Sequence, residues 1–415
     1  MLGERIRTLR KQKKMTLDAL AGDRLTKGML SQIENNKARP SMESLEYIAG
    51  RLEVTISELV DKVSSTEIRK VLDQAEKLHE GFKIYFRNKK ETIEMCKKIT
   101  QLIHPYINIM NDSYEAARLL EIYSHCLFSL YDNQWEIYSK KAATIYDVLN
   151  LTANRAEVGI FKAITIFLDH KYKEALQTFL EERHILETSH YKIDPMTKVN
   201  LDYHEAAFYS AIGDSAGTAQ AIERALVYSK KEKIYYKTDD IYKLAAFEAL
   251  LGSEEQKFNY YLKKLKQYGE FLEDDKYIEL YDVLYVEYLI NIKGQYSKVM
   301  SIIDKYVKYD EKERKLIGDN WNILQKGKAL YYTQEYEQSL NILLTVHVPD
   351  YLNHPADFGM YFIKDTYIAL CYKELKKQKE ALHYAKIAYD NFLPLPNSIF
   401  RKFSIETYES IIPNK

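Results

Sequence analysis

Cysteine, proline and glycine are scarce in this chain, numbering three, eight and fourteen among 415 residues. Cys96, Cys126 and Cys371 lie far apart and in no CxxC or Cys/His cluster, so neither a disulfide framework nor a zinc site is indicated. So little proline and glycine leaves few turns for a β architecture, and an all-α fold is expected from 46% hydrophobic and 29% charged residues. Long apolar runs are missing as well. No stretch approaches the roughly 18 uncharged residues that a bilayer span requires, and the opening LGERIRTLRKQKK has no apolar signal-peptide core. A cytoplasmic protein without membrane contact is the expectation. P-loop, GxSxG and HExxH motifs are absent and the ten histidines are scattered, so no catalytic residue, metal or cofactor is expected.

Net charge is also absent overall, with 60 basic against 60 acidic side chains. Its distribution is uneven. Residues 1–40 carry ten Lys and Arg against four Asp and Glu, an excess of six positive charges that the remaining residues cancel. A basic head on a mildly acidic body confines phosphate contact to the head.

Within the head, Leu2, Ile6 and Leu9 recur at helical spacing and define a first helix. Thr16 caps a short second helix that Gly22 and Asp23 end, and Thr26 caps a third over Lys27 to Asn35. Ser41 opens a fourth, and Thr55 to Leu59 closes a domain of five helices over residues 1–62. The third helix keeps Leu30 and Ile33 inward and presents Lys27, Gly28, Ser31 and Gln32 outward. Gln32 suits adenine and Lys27 guanine, each discrimination being worth roughly 1–3 kcal/mol, although either side chain can instead touch only phosphate. Arg10, Lys37 and Arg39 fit phosphate clamps.

The string LxxLR…MTLxxLA…LTxxxLSQIENNxxxPSMxxLxxIAxxLxV resembles the phage-repressor-type helix-turn-helix. That resemblance implies binding to double-stranded DNA, with the helix after Thr26 in the major groove. Two departures stand out. Leu17-Asp18 replaces a pattern that often carries Gln, and the turn between Leu20-Ala21 and Leu30-Ser31 is one residue short.

Beyond Ser64 no strand-like alternation occurs, and a helix-pair pattern repeats. HKYKEAL, IGDSAGTAQAIERAL, LGSEEQKFNYYL, KGQYSKVMSII, TQEYEQSLNILL and LKKQKEALHYAKIAY each resemble the turn and second helix of a tetratricopeptide repeat. Anchors at Tyr138, Ala175, Thr218, Lys257, Val299, Ser339 and Ala381 stand 37 to 43 residues apart. Twelve residues earlier come Cys126, Ala163, Ala206, Ala245, Glu287, Gly327 and Ala369, small in six of seven cases, as close helix approach demands. The expected architecture is the helix-turn-helix head, linker helices or an atypical first repeat over 63–110, a right-handed α-solenoid over 111–390 and a capping segment over 391–415.

First helices of such repeats line the concave groove. Outward positions of the second repeat include Phe167, and those of the third are Asn200, Tyr203, Ala207 and Ser210. The following repeats offer Asp239, Tyr242, Tyr281, Tyr288, Asn291, Trp321, Lys328 and Tyr331. Amides such as Asn200 and Asn291 pair with both groups of an extended peptide backbone, aromatic rings wall side-chain pockets, and Lys328 suits a carboxylate. Ordinary inter-helix packing is the alternative for the tyrosines.

Head and array together resemble the peptide-pheromone quorum-sensing transcription regulators of Gram-positive bacteria, the Rap/NprR/PlcR/PrgX/Rgg group, with the NprR-like members nearest in length. The resemblance implies a homodimer on a palindromic operator, switched by a short signalling peptide in the groove. Two alternatives stay open. One is a bifunctional regulator that also binds a phosphorelay response regulator, near Gln74, Glu80 and Arg87, where no motif singles those residues out. The other is a repressor whose repeats dock only other proteins.

Overall fold

The computed structural model describes residues 2–56, 59, 63–82, 84, 89–190, 192–307 and 318–412, and these contain helices but no strand. They divide into two compact units, Met1–Val158 and Gly159–Lys415.

The head begins with α1 (Leu2–Gln12), α2 (Leu17–Ala21), α3 (Lys27–Glu34) and α4 (Met42–Arg51). Three of the four start on the expected caps. The hydroxyls of Thr16, Thr26 and Ser41 accept from the amides of Ala19, Met29 and Ser44 at 3.0, 3.1 and 3.2 Å, each such cap contributing about 1 kcal/mol. Ile6, Leu20, Leu30, Ile33, Ile48, Leu52 and Leu59 form the buried core. Gly3 lets α1 lie against the end of α3, because a Cβ there would collide with the Ile33 carbonyl. Its amide donates to Asn36 Oδ1 at 3.0 Å, and Asn36 adopts a left-handed φ of 59°. A fifth helix was expected at Thr55 to Leu59; Ser57, Glu58 and the domain limit at residues 60–62 lie outside the described residues.

Next come α5 (Ser65–His79) and α6 (Lys90–Ile103), which pack with the following helix, α7 (Tyr114–Ser129), through Ile68, Val71, Leu72, Cys96, Ile99, Ile122 and Cys126. Gln74 is exposed on α5 and Glu80 closes that helix, whereas Arg87 lies outside the described residues.

Fourteen helices then alternate as first and second members of seven hairpins. They are α7 (Tyr114–Ser129), α8 (Trp135–Val148), α9 (Thr152–Leu168), α10 (Tyr172–Ser189), α11 (Pro195–Ile212), α12 (Ser215–Glu232), α13 (Thr238–Leu251), α14 (Glu255–Leu272), α15 (Asp275–Tyr288), α16 (Tyr296–Val307), α17 (Asp319–Tyr332), α18 (Tyr336–Leu343), α19 (Pro355–Glu374) and α20 (Gln378–Phe392). A last helix, α21 (Ile399–Ile411), follows. The unit boundary falls inside α9.

The small residues sit where hairpins close. Cys126, Ala163, Ala206, Ala245 and Ala369 are buried, as are the anchors Ala175, Thr218, Val299, Ser339 and Ala381. In the sixth hairpin a Cβ on Gly327 would press on Leu343 at 2.5 Å, and Ser339 Oγ donates to the Gly327 carbonyl at 2.7 Å. Two anchors are not buried. Tyr138 is half-buried beside buried Ser139. Lys257 is exposed while Phe258 is fully buried, and Ala246, twelve residues before it, is buried too.

Glu287, the exception among the small residues, is buried as half of an ion pair. Its Oε2 accepts from Lys328 Nζ at 2.7 Å, its Oε1 accepts from Gln325 Nε2 at 2.7 Å, and both charged side chains have 0% exposure. This overturns the expectation that Lys328 receives a ligand carboxylate: the carboxylate is supplied from α15. Burial lowers the Lys328 pKa against the pull of Glu287.

Removing one partner strands a buried charge, so Glu287→Leu alone should cost about 3–5 kcal/mol. Glu287→Leu combined with Lys328→Met should restore most of that loss. Urea unfolding of the three variants, compared as a double-mutant cycle, checks this.

Candidate functional site

The outward face of α3 is open. Thr26, Lys27, Gly28 and Gln32 are exposed and Ser31 is half-buried, opposite buried Leu30, Ile33 and Glu34. A Cβ built on Gly28 meets nothing within 4 Å, so the surrounding fold does not require glycine there. Lys37 and Arg39 are exposed just beyond the helix. Thr26 spends its hydroxyl on the cap.

Arg10 departs from its expected role as a phosphate clamp. Its Nε and Nη2 donate to the two oxygens of Glu34 at 2.6 and 2.8 Å, and Nη1 donates to the Met15 carbonyl at 2.9 Å. The bidentate geometry consumes the guanidinium inside the head, tying α1 to α3. Sequence periodicity could not reveal this, since Arg10 and Glu34 are separated by 24 residues.

Asp18 acquires a role too. Lys27 Nζ reaches its Oδ2 at 3.1 Å, both side chains being well exposed. Behind α3, Tyr47 donates to Asp23 at 3.0 Å, Arg51 binds the Ala19 carbonyl and Arg24 lies over the Tyr47 ring, together fastening the turn to α4. A Cβ on Gly22, at φ +56°, would strike the Tyr47 hydroxyl.

Residue-type reasoning passed over Met29. It is 41% exposed on α3, one turn before Gln32. An exposed thioether on this face can meet a thymine methyl group. Its signal in the sequence is a large apolar residue off the Leu30/Ile33 stripe.

Residues 3–65 match the family model described as a helix-turn-helix domain. The head is a helix-turn-helix domain. Solved structures similar to the chain include PlcR of Bacillus thuringiensis in complex with the peptide PapR7 and DNA, at 17% identity over 68% of this chain and 98% of that one, TM-score 0.36. ComR from Streptococcus vestibularis with its signalling peptide XIP is 18% identical over 67% and 95%, TM-score 0.41. Rgg2, a pheromone receptor of Streptococcus dysgalactiae, is 17% identical over 68% and 98%, TM-score 0.30. No curated protein matches the chain.

The positions expected to face a groove divide into two sets. Tyr203, Asp239, Tyr242, Tyr281 and Tyr331 are half-buried on successive first helices. Lys237 stands 5.0 Å over the Tyr203 ring and Lys266 5.5 Å over that of Tyr281, while Tyr277 donates to Asp239 at 3.0 Å. Burial raises the pKa of Tyr242 and Tyr281, and that of Tyr331 to about 12, so all three hydroxyls stay protonated donors.

Three others are buried, and a fourth, Asn291, is half-buried with its amide already hydrogen-bonded. Tyr288 stacks on Phe258 at 4.8 Å and donates to Glu255 at 2.6 Å. Trp321 packs with Val286, Leu289, Ile303 and Tyr306. Asn291 lies on a π turn, Leu289–Lys293, and its amide nitrogen donates to the backbone oxygen and to Oε2 of Glu287, both at 2.8 Å. Asn200 is buried, its backbone oxygen facing His204 Nδ1 at 2.9 Å. Helical spacing places a side chain on a face; it does not say which neighbour covers that face.

Among the described residues, no helix of the chain is long and apolar enough to cross a membrane.

Asp18 sets a negative charge beside the reading face and tethers Lys27. Asp18→Asn should tighten binding to duplex DNA and steepen the slope of log K against log salt by roughly 0.9, one phosphate contact. Fluorescence anisotropy across a salt series measures both.

Proposed function

We propose that the chain is a DNA-binding transcription regulator whose helical-hairpin array receives a short linear signalling peptide. The observation that carries the first half is the open face of α3 within a matched helix-turn-helix domain, with Lys27, Gly28, Met29 and Gln32 exposed where a major groove would receive them. One such head covers little DNA, so a homodimer on a palindromic operator follows from the need to pair half-sites.

Support for the second half comes from half-buried tyrosines on four successive first helices, at Tyr203, Tyr242, Tyr281 and Tyr331. Rings with protonated hydroxyls form side-chain pockets with donors at their rims, the chemistry that an extended peptide needs. The sequence resemblance to peptide-pheromone regulators points the same way. Bound peptide can alter DNA occupancy only by the difference in its affinity for two forms of the chain. Regulation by binding requires no catalytic group.

Lys27→Ala should weaken binding to every DNA sequence, while Gln32→Ala should lose about 1–3 kcal/mol of discrimination at one base pair, and the pair of changes should abolish operator binding. Gel-shift titration on an operator selected from random duplexes tests this; sequence-specific binding retained by the double variant rules out the reading face.

For the array, Tyr242→Ala and Tyr281→Ala should each weaken peptide binding about tenfold or more, on the scale of a well-packed interface aromatic. Calorimetry with synthetic peptides encoded by short reading frames beside the gene is the check. Unchanged affinity in both variants removes the pocket.

A further inference from the structure

Eleven residues, 344–354, link α18 to α19, whereas the connections from α9 to α15 run from two to five. Long connections within compact domains usually have work to do. This one reaches back to helices formed more than a hundred residues earlier. The Asn353 carbonyl accepts from Tyr172 Oη at 3.0 Å. His354 Nδ1 accepts from the Ala356 amide at 3.2 Å, which leaves the proton on Nε2, and Nε2 faces the Ala207 carbonyl at 3.3 Å. The His354 ring lies 6.0 Å from that of Phe167, and the Phe358 ring 5.5 Å from that of His170.

Phe167 and Ala207 are two of the first-helix positions that the repeat register assigns to a ligand-lining face. What meets them is the His354 ring and its Nε2 donor, while the neighbouring Asn353 carbonyl meets Tyr172 at the start of α10, all delivered by a short run of the chain itself. We infer that Phe167, Tyr172 and Ala207 form a subsite for an extended peptide, and that Asn353-His354 occupies it as an internal stand-in. This inference rests on the peptide-receiving reading of the array.

Three further observations fit. A cleft of about 450 Å³ adjoins the contact, lined by His170–Glu174, Ala211, Ile212 and Pro394–Pro396, and gives an incoming segment room beside the occupied site. Burial and the nearby Asp357 push the Tyr172 pKa up to about 12, which keeps its hydroxyl a donor. Asn353-His354 itself is held here by two hydrogen bonds and one ring contact, the rest of the loop being tied separately where His347 pairs with Asn320. A competing peptide that supplies one carbonyl and one donor-bearing ring can therefore take the place of the loop. Its recognised chemistry is a backbone carbonyl followed by an imidazole or a similar planar donor.

The test uses the full chain and a fluorescein-labelled copy of residues 351–357, YLNHPAD, as probe. Wild-type protein should bind it weakly, since the subsite is filled from within. His354→Ala releases the loop without touching the receiving residues and should bind the probe at least tenfold more tightly by fluorescence polarisation. His354→Gln, which keeps an N–H donor, should stay near wild type, and adding Tyr172→Phe to His354→Ala should erase the gain. Limited proteolysis should cut within 347–354 faster in His354→Ala at an unchanged melting temperature.

Equal probe affinity in wild type and His354→Ala, with both proteins folded by circular dichroism, overturns the subsite. So does a gain shared by His354→Gln, or one that survives Tyr172→Phe. None of these results touches the wider regulator reading, which stands or falls on the Lys27, Gln32, Tyr242 and Tyr281 variants.

Discussion

Close approach of paired helices is the constraint on which most of the chain depends. A hairpin of two amphipathic helices cannot bury its apolar stripe alone, so each must press on its neighbours, and pressing requires small side chains where backbones come nearest. Ala163, Ala206, Gly327 and Ala369 supply that space on first helices, and Ala175, Thr218, Ser339 and Ala381 on second helices. The Ser339 hydroxyl on the Gly327 carbonyl shows how near the backbones lie. Where Glu287 takes the place of a small residue, Lys328 and Gln325 must reach in to meet its oxygens, and the buried polar cluster specifies which helices can be neighbours there.

Much of this was legible in the sequence because it is local. Thr16, Thr26 and Ser41 announce helix starts through contacts three residues long, and the twelve-residue spacing of small residues is a contact within one hairpin. The fourth hairpin shows the limit of local reading, since a helical stripe is wide enough for Lys257 to pass for Phe258. Candidate site residues failed where their partners came from afar. Arg10 looked like a phosphate clamp until Glu34 claimed it, and Lys328 looked like a free cation until Glu287 did. A charged residue on a predicted face carries no mark of whether an opposite charge waits on another helix. Met29 was missed for the opposite reason: an apolar residue in a helix is read as core, and here it lies exposed.

The head combines rigid and permissive parts. Its buried Arg10–Glu34 pair and the Gly3–Asn36 contact hold α3 at a set angle to α1. On the outward side, Gly28 and the solvent-screened Lys27–Asp18 pair leave side chains that can rearrange as DNA arrives. Positioning comes from the buried side and adaptability from the exposed one, a division that suits a helix required to enter a groove in one orientation and then search for hydrogen bonds.

The return of residues 353 and 354 to Tyr172 and Ala207 also bears on how the molecule is made. Every hairpin is closed by contacts within some forty residues, which a growing chain can form as soon as they emerge. The contact from Tyr172 to Asn353 spans 181 residues, so its loop-closure entropy is met only when nearly the whole array has been synthesised. The second to sixth hairpins therefore exist for a time with Phe167 and Ala207 uncovered, and the newborn array passes through a more open form before its own loop settles in place.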